Sequence, residues 1–260
     1  MIRFSKWKKN SRHCFLAALI ALPVPSFAMP FFYDVYLGGS GALSNGALSD
    51  NNPRITYGGV TDQYPMTSNS SRSAALSLNS GFEVLDLDNG FSYSLGVGIY
   101  NATSYNYSGN VIESAGGTPP STLYNYNVNV QSTRVMAEMQ VNWLFENFAP
   151  YINAGVGPAW VMAKGYSEKN SPENQTYPPL TPFANNTNHN VAYQAGVGIS
   201  YLFNAGKNHS RFQQERLSIG YRYASMGQVR TGIRDSTYPY SLNLGTFSTN
   251  DVYLMYTHYF

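Results

Sequence analysis

The chain has 260 residues, of which only 12% are charged and 15% are aromatic, including 22 tyrosines. An average soluble domain carries about 25% charged residues, so this composition does not suit an ordinary water-soluble surface. A formal net charge of +2 and a single cysteine argue against a strongly basic nucleic-acid-binding surface and against a disulfide framework.

The first 28 residues have the three-part composition of a secretory signal peptide. A basic segment, Met1 to Arg12, precedes an apolar run, Cys14 to Leu22, and then small residues that suit cleavage after Ala28. The apolar run is shorter than the roughly 20 residues of a membrane-spanning helix. The leader holds five of the 16 basic residues and none of the 14 acidic ones, so the exported chain would have a net charge of −3. It would contain no cysteine and no run of Lys or Arg, so thiol chemistry and nucleic-acid partners are not expected.

Residues 29–260 are predicted to form one all-β domain, because no apolar run after the leader reaches 18 residues. Alternating apolar and polar residues, bounded by Gly, Pro, Asn and Ser clusters, predict eight strands. Their approximate ranges are 32–42, 74–87, 91–103, 124–145, 151–165, 190–203, 215–229 and 247–260.

Long polar segments alternate with short turns between these strands. The long segments are residues 43–73, 104–123, 166–189 and 230–246. This alternation predicts an eight-stranded antiparallel up-and-down transmembrane β-barrel with four long extracellular loops, whereas a soluble β-sandwich has no reason for it. A ten-stranded barrel is the alternative if residues 54–60 form part of an extra hairpin.

Charged residues within the predicted strands fall on the face opposite to the apolar residues. They are Glu83, Arg134, Glu138, Arg222 and Asp251. A charge near the middle of the lipid face costs about 2–4 kcal/mol, so this face should line the interior. Eight strands leave room only for side chains, and buried charges must be paired. We therefore favour a polar network that closes the lumen over a gate or a narrow solute path.

The strand predicted for residues 151–165 has one charge on its apolar face. Lys164 is in line with Trp160 and Met162. We expect Lys164 to extend its ammonium group to the lipid headgroups near the outer end of the strand. Pro158 is expected to mark a bulge that resets the register.

The last predicted strand has an apolar face formed by Val252, Leu254, Tyr256 and Phe260. A strand that ends on Phe resembles the closing strand of bacterial outer-membrane β-barrels, whose final residues are a signal for the barrel insertion machinery. Two segments, Tyr33–Gly41 and Tyr193–Phe203, are similar to strand motifs of OmpA-like and opacity-type surface proteins. The resemblance implies an outer-membrane location. Outer-membrane lipid, lipopolysaccharide and the insertion machinery are then the expected partners.

The histidines provide no catalytic or metal-binding pattern. His189 lies in a long loop, His209 in a turn and His258 on the lipid face, and none has a recognisable nucleophile or further ligands beside it. No catalytic residue, metal or cofactor is predicted. A lipid-modifying enzyme is the least favoured of three functional hypotheses.

Tyrosines concentrate in and around the predicted loops. The runs Tyr100–Tyr107 and Tyr124–Tyr126 flank the second loop, where an aromatic girdle at the membrane boundary is the favoured interpretation. Tyr238 and Tyr240 lie inside the fourth loop and are candidate contacts for a protein or glycan. The leading hypothesis is a surface protein with a structural or adhesion role that contacts host surface or matrix molecules. The alternative is a small pore or hydrophobic-solute channel.

Overall fold

Ten β-strands and no helix make up the part of the chain that the computed structural model describes, which is residues 33–86, 90–114, 121–172, 178–179, 181–203 and 215–260. The predicted leader, its cleavage site and His209 lie outside these ranges. The strands are β1 (Tyr33–Leu48), β2 (Arg54–Tyr57), β3 (Val60–Gln63), β4 (Ser70–Asp86), β5 (Phe91–Ser114), β6 (Ser121–Trp143), β7 (Phe148–Asn170), β8 (Asn186–Phe203), β9 (Glu215–Arg230) and β10 (Asn243–Tyr259). Among the described residues, no helix is long and apolar enough to cross a membrane.

Eight of these strands pair into a closed ring. The order around the ring is β1, β4, β5, β6, β7, β8, β9 and β10, and β10 pairs back with β1. Every pair is antiparallel, and apart from the closing β10–β1 pair each ring strand pairs with the next ring strand along the chain. The predicted eight-stranded antiparallel up-and-down architecture is therefore confirmed. We call the end of the barrel with the long connections the loop end, and the opposite end the turn end.

The two remaining strands, β2 and β3, form a hairpin outside the ring. β3 pairs with the loop end of β5, from Thr61 opposite Ser114 to Gln63 opposite Ile112. The hairpin turns through Gly58 and Gly59, whose φ angles of +54° and +83° favour glycine. The extra hairpin considered from the sequence thus exists, but the ten-stranded barrel was wrong because the hairpin adds no strand to the ring.

The strand register fixes the stagger of the barrel. A line of paired residues that leaves β6 at Asn142 and passes once around the ring returns to β6 at Ser132, ten residues away. Between them it passes through Tyr151, Gly198, Gly220, Tyr253, Ala42, Ala75 and Ala102. Eight strands with this stagger tilt by about 40° and enclose a space that side chains alone can fill.

The strands are longer than the sequence indicated. β5, β6 and β7 have 24, 23 and 23 residues, more than twice the roughly 9–11 residues that cross a membrane. The predicted loop 104–123 was wrong because most of it is strand, and the loop-end connections shorten to residues 49–69, 115–120, 171–185 and 231–242. The segments that were predicted as loops are rich in Asn, Ser and Thr, which is typical of loops. In the structure, many of these polar residues instead lie on the outer face of strands that extend beyond the apolar surface.

An apolar band surrounds the turn-end half of the barrel. Leu76 and Leu78 are each 65% exposed, and Ile99 on β5 and Val135 on β6 mark the edge of the band. On the same outer face, the next residues toward the loop end, Asn101 and Thr133, are polar. A band of this kind, about 25 Å tall, is the lipid-facing surface of a transmembrane barrel. Further exposed members are Val35, Leu37, Leu95, Val97, Ile152, Val156, Val197, Ile219, Val252 and Leu254.

The interior beyond the band is aromatic, which corrects the girdle predicted for two tyrosine runs. Tyr100, Tyr105, Tyr107, Tyr124 and Tyr126 are at most 5% exposed and belong to the buried core. They face inward because the lumen continues beyond the membrane level and needs large side chains to fill it. Tyr105 packs on Phe247, and Tyr126 packs on Tyr64 and Tyr166, so these rings contact the interior instead of lipid.

Lys164 lies on the outer wall of β7, on the same face as Trp160 and Met162, as the sequence indicated. Pro158 does not reset the register, because residues on either side of it keep the same pairing offset with β6. The irregularity falls instead between Asn127 and Asn129 of β6, opposite Gly165, whose φ is +61°. The bulge prediction at Pro158 was therefore wrong.

Candidate functional site

The centre of the lumen contains an ion-pair network around Asp251. Its Oδ2 accepts hydrogen bonds from Arg134 at 3.1 Å and from Arg222 at 3.2 and 3.3 Å. Its Oδ1 accepts a 2.5 Å hydrogen bond from the Ser44 hydroxyl, whose oxygen lies 2.6 Å from the Tyr105 hydroxyl. The three charged side chains are at most 5% exposed. One carboxylate thus joins strands β6, β9 and β10 across the interior.

Glu138 completes this network from β6. Its carboxylate accepts hydrogen bonds from the Tyr100 hydroxyl, from the Gln194 amide and, at 2.9 Å, from the Asn79 amide. The Gln194 oxygen in turn accepts from Arg134 Nε at 3.2 Å. Since two carboxylates accompany two guanidinium groups, the network has no net charge, as a buried cluster requires.

The ring of Tyr100 occupies the middle of this cluster. The guanidinium carbons of Arg134 and Arg222 lie 4.6 and 4.2 Å from its centroid, and Arg222 also lies 4.8 Å from the ring of Tyr253. These cation–π contacts hold both arginines against aromatic faces in a desolvated site. The alternation of β5 assigns Tyr100 to the interior, and that signal could have revealed its position.

Glu83 is separate from the other four residues of the predicted network. It forms a 2.9 Å ion pair with Arg216, and both side chains are at most 3% exposed. The Arg216 guanidinium lies 4.5 Å from the ring of Tyr259. Sequence reasoning missed Arg216, although it has the same strand parity as Ser218 and Arg222 and could have been found by it. The Glu83–Arg216 pair is therefore a separate charge cluster near the turn end, apart from the central network.

Little open space remains between these side chains. A cavity of about 40 Å³ lies among Asn79, Tyr100, Glu138, Arg222 and Tyr253. One buried water needs about 10–15 Å³, so the cavity accommodates roughly three waters. The aromatic core covers it toward the loop end. This cavity is too small for a solute larger than a few waters.

The mouth of the barrel is capped by side chains from two loops. Arg234, from the connection 231–242, forms a 2.5 Å ion pair with Glu168 of β7 and lies 4.3 Å from the ring of Phe183. Tyr166 donates a 2.7 Å hydrogen bond to the same Glu168 oxygen. Arg234 and Glu168 are at most 6% exposed, so this contact covers part of the loop end.

The electrostatics of the cap favour one protonation state. Burial lowers the pKa of Arg234, but its interactions with Tyr64 and Glu168 outweigh burial, and its pKa is raised overall. Burial raises the pKa of Tyr64 well above its usual value of 10. Arg234 therefore remains cationic and Tyr64 neutral near neutral pH, which keeps the cap paired.

Loop contacts bring together an aromatic group at the tip of the molecule. The Tyr57 ring, at the end of the β2–β3 hairpin, lies 5.8 Å from Tyr238 and 5.2 Å from Tyr240. The hairpin pairs with β5, which is opposite β9 in the ring, so it crosses the mouth to reach the 231–242 connection. Tyr57 and Tyr238 are 49% and 38% exposed. We call Tyr57, Tyr238 and Tyr240 the tip cluster. Sequence analysis missed Tyr57.

The remaining candidates lie on the outer wall. Val252, Leu254, Tyr256 and Phe260 are exposed on the apolar band, as is His258 to a smaller extent. Their role as an insertion signal stays a prediction. Exposed His189 faces outward from β8. Within the described ranges, no cluster of His, Cys, Asp and Glu could hold a metal ion, and the prediction of no catalytic site stays untested.

Comparisons with known proteins give distant structural similarities. No protein-family model and no curated protein sequence matches the chain. The crystal structure of Neisserial surface protein A is similar with a TM-score of 0.42 and 11% identity, covering 87% of this chain and 97% of that one. Outer membrane protein OprG from Pseudomonas aeruginosa gives 0.39 and 12%, with 85% and 95% covered. The outer membrane protease OmpT from Escherichia coli gives 0.35 and 8%, with 89% and 98% covered.

Proposed function

We propose that this protein is an outer-membrane surface protein, a closed and non-conducting barrel that presents the tip cluster to molecules outside the cell. The observation that carries the proposal is the meeting of Tyr57, Tyr238 and Tyr240, from two connections on opposite walls, at the exposed end of a barrel. Ile233, in the same connection as Tyr238 and Tyr240, is also 54% exposed.

The orientation of the barrel supports this role. The apolar band occupies only the turn-end half, so the loop end projects far beyond the hydrocarbon layer. Strands of 23 and 24 residues at a tilt of about 40° rise roughly 55–60 Å, about twice the thickness of the layer. An outward loop end is part of this proposal, and it is supported by the long connections at that end and the short turns at the other, as in transmembrane barrels with external loops. The tip cluster then stands well above the membrane surface.

Tyrosine suits contact with an external partner. Its ring supplies a large apolar area at a small cost in side-chain entropy, and its hydroxyl adds a hydrogen-bonding group. Because Tyr57 and Tyr238 are 49% and 38% exposed and Tyr240 is less exposed, the three side chains can bury only roughly 250 Å² on a partner, far less than the about 800 Å² per side of a standard interface. We therefore expect weak individual contacts that strengthen when many copies engage a host-cell or matrix surface together.

The pore hypothesis has less support. The arginines of the central network are paired with Asp251, and the cavity of about 40 Å³ beside them holds only about three waters. A solute path would require the central network, the aromatic core and the Arg234–Glu168 cap to rearrange together. The proposal of a surface role therefore takes precedence over the pore.

The test compares the binding of intact bacteria to host cells and to immobilised matrix proteins. The variant combines Tyr57→Ser, Tyr238→Ser and Tyr240→Ser, and the matched control combines Ser236→Ala with Thr237→Ala, two exposed neighbours in the same connection. We expect the tyrosine variant to lose binding by about tenfold or more, because multivalent contact multiplies each loss. The control should bind as the wild type does.

Equal display is checked by surface labelling, and folding by the faster gel migration of unboiled protein. Unchanged binding of the triple variant at equal display would contradict the proposal. Host binding lost equally in both variants would locate the contact elsewhere in the connection and would also contradict the role of the tip cluster.

A further inference from the structure

The outer wall of the barrel changes character where the apolar band ends. Beyond the band, its charged side chains are basic: Arg72 on β4, Lys164 and Lys169 on β7, and Arg230 on β9. No carboxylate faces outward at this level among the side chains that the structure describes. None of these four basic groups forms an ion pair with a described residue. Such a rim favours anionic groups at the membrane surface.

A groove of about 220 Å³ opens on this wall between β5 and β8. It arises at a register shift between Ala102 and Tyr105, where β5 bulges away from β6. The Gln131 amide donates a hydrogen bond to the exposed Thr103 carbonyl. The side chains facing the groove are Asn101, Thr103, Gln131, Thr133, Trp160, Met162 and Thr187.

The register places this groove at the boundary of the band. Thr133 pairs with Asn101 on one side and with Trp160 on the other, directly beyond the apolar pair Ile99 and Val135. Lys164 lies two residues beyond Met162 on the same face of β7, which is about 7 Å further along the strand and, at a tilt of about 40°, about 5 Å further from the membrane. From the membrane outward, the wall therefore offers aliphatic side chains, then Trp160 among amides and hydroxyls, then an ammonium group.

We propose that this groove binds the headgroup of a phosphorylated glycolipid in the outer leaflet. Lys164 pairs with a phosphate, while Asn101, Gln131 and Thr133 hydrogen-bond to sugar hydroxyls. Trp160 and Met162 contact the first part of the acyl chains, and the band receives the remainder. The inference rests on the outward orientation of the loop end given under the proposed function.

The order of these groups selects a lipid over a free anion. Lys164 is a single half-exposed ammonium group without buried donors around it, so a free phosphate ion would gain little from it. The acyl chains supply apolar contact and hold the headgroup at the level of the groove. Both the phosphate and the chains are therefore required for tight binding.

The test measures binding of a hexa-acylated, bisphosphorylated disaccharide lipid to the detergent-solubilised full chain by native mass spectrometry. Lys164→Gln should weaken binding about fivefold, because the attraction of one basic residue to an anionic membrane surface corresponds to about a fivefold change in affinity. Lys164→Arg should retain binding. Trp160→Ala should weaken binding at least as much as Lys164→Gln. Lys169→Gln, a matched loss of charge further along the same strand, should remain within about twofold of wild type.

Two further probes decide the chemistry. The same lipid without phosphates should bind several-fold more weakly, and millimolar inorganic phosphate alone should neither bind nor displace the lipid. Equal binding of the dephosphorylated lipid, equal affinity of Lys164→Gln and wild type, or displacement by inorganic phosphate would each overturn the proposal. The tip-cluster variant should bind lipid normally, and Lys164→Gln should bind host cells normally, so failure of one proposal is distinguishable from failure of the other.

Discussion

Replacement of Asp251 by Ala tests whether the central network stabilises the barrel. The carboxylate is 1% exposed and accepts from two arginines through one oxygen and from Ser44 through the other. Removal of one partner from a buried ion pair costs about 3–5 kcal/mol, because the remaining charge is uncompensated. Two guanidinium groups depend on Asp251, so we expect a loss of about 5 kcal/mol in the free energy of unfolding.

A second substitution separates loss of charge balance from loss of packing. Arg222→Met in the Asp251→Ala background leaves Arg134 and Glu138, whose charges again sum to zero. We expect it to restore about 2 kcal/mol or more, so that the two changes are clearly non-additive. If Asp251 matters only for packing, the second substitution should instead add its own cost.

The measurement is urea unfolding of the chain refolded into lipid vesicles, followed by tryptophan fluorescence and checked by the migration of unboiled samples. The wild type, both single variants and the double variant complete the cycle. An Asp251→Ala variant within about 1 kcal/mol of wild type, or simple additivity in the cycle, would refute the reasoning that these charges depend on one another.

Three other predictions concern the lumen, the wall and the cap. In planar bilayers we expect no steady conductance from wild type, Arg222→Ala or Glu138→Ala, because the aromatic core stays in place; conductance steps that either substitution abolishes or enlarges would restore the pore hypothesis. Gly157→Ala should lower the free energy of unfolding in vesicles by about 3 kcal/mol, because its Cβ would overlap the Val135 carbonyl oxygen. Gly41→Ala, whose Cβ would lie 4.0 Å from its nearest neighbour, should be neutral; equal effects of the two substitutions would contradict the close approach at Gly157. Glu168→Ala should accelerate trypsin cleavage after Arg234 by about tenfold or more, because the cap loses its buried partner, while cleavage after exposed Arg230 serves as the internal reference; unchanged rates at Arg234 would show that the ion pair does not hold the loop.

The strand count and the side-chain alternation could be predicted because both depend on local sequence. A charge at an outward position would meet lipid, so the alternation around Arg134, Glu138 and Asp251 could be read without a partner strand. The alternation around Ser218 and Arg222 contained Arg216 as well, and Tyr100 followed the pattern of β5. Arg216 adjoins the polar turn segment before β9, and Tyr100 begins an aromatic run, so the local composition at both positions resembles a strand end or a membrane boundary more than an interior.

Strand length could not be predicted in the same way. Beyond Ile99 and Val135 the outward residues turn polar, and a polar segment in a single sequence does not distinguish a loop from a strand that faces water. The inward tyrosines of residues 104–126 show that this segment is strand only when β5 and β6 pair with each other and bury these rings in a shared core. The aromatic girdle prediction failed for that reason.

By itself, the sequence determined the all-β class, the eight-stranded up-and-down order and the interior face of each strand, because these follow from a two-residue period and from the cost of exposing charge to lipid. Only the tertiary structure decided which charges meet, since a stagger of ten residues places Asp251 beside Arg134 and Arg222 but leaves Glu83 with Arg216. It also decided that the β2–β3 hairpin crosses the mouth to the tip cluster and that a bulge opens the groove below Lys164. These contacts join segments distant in sequence, and their geometry depends on how the ring closes.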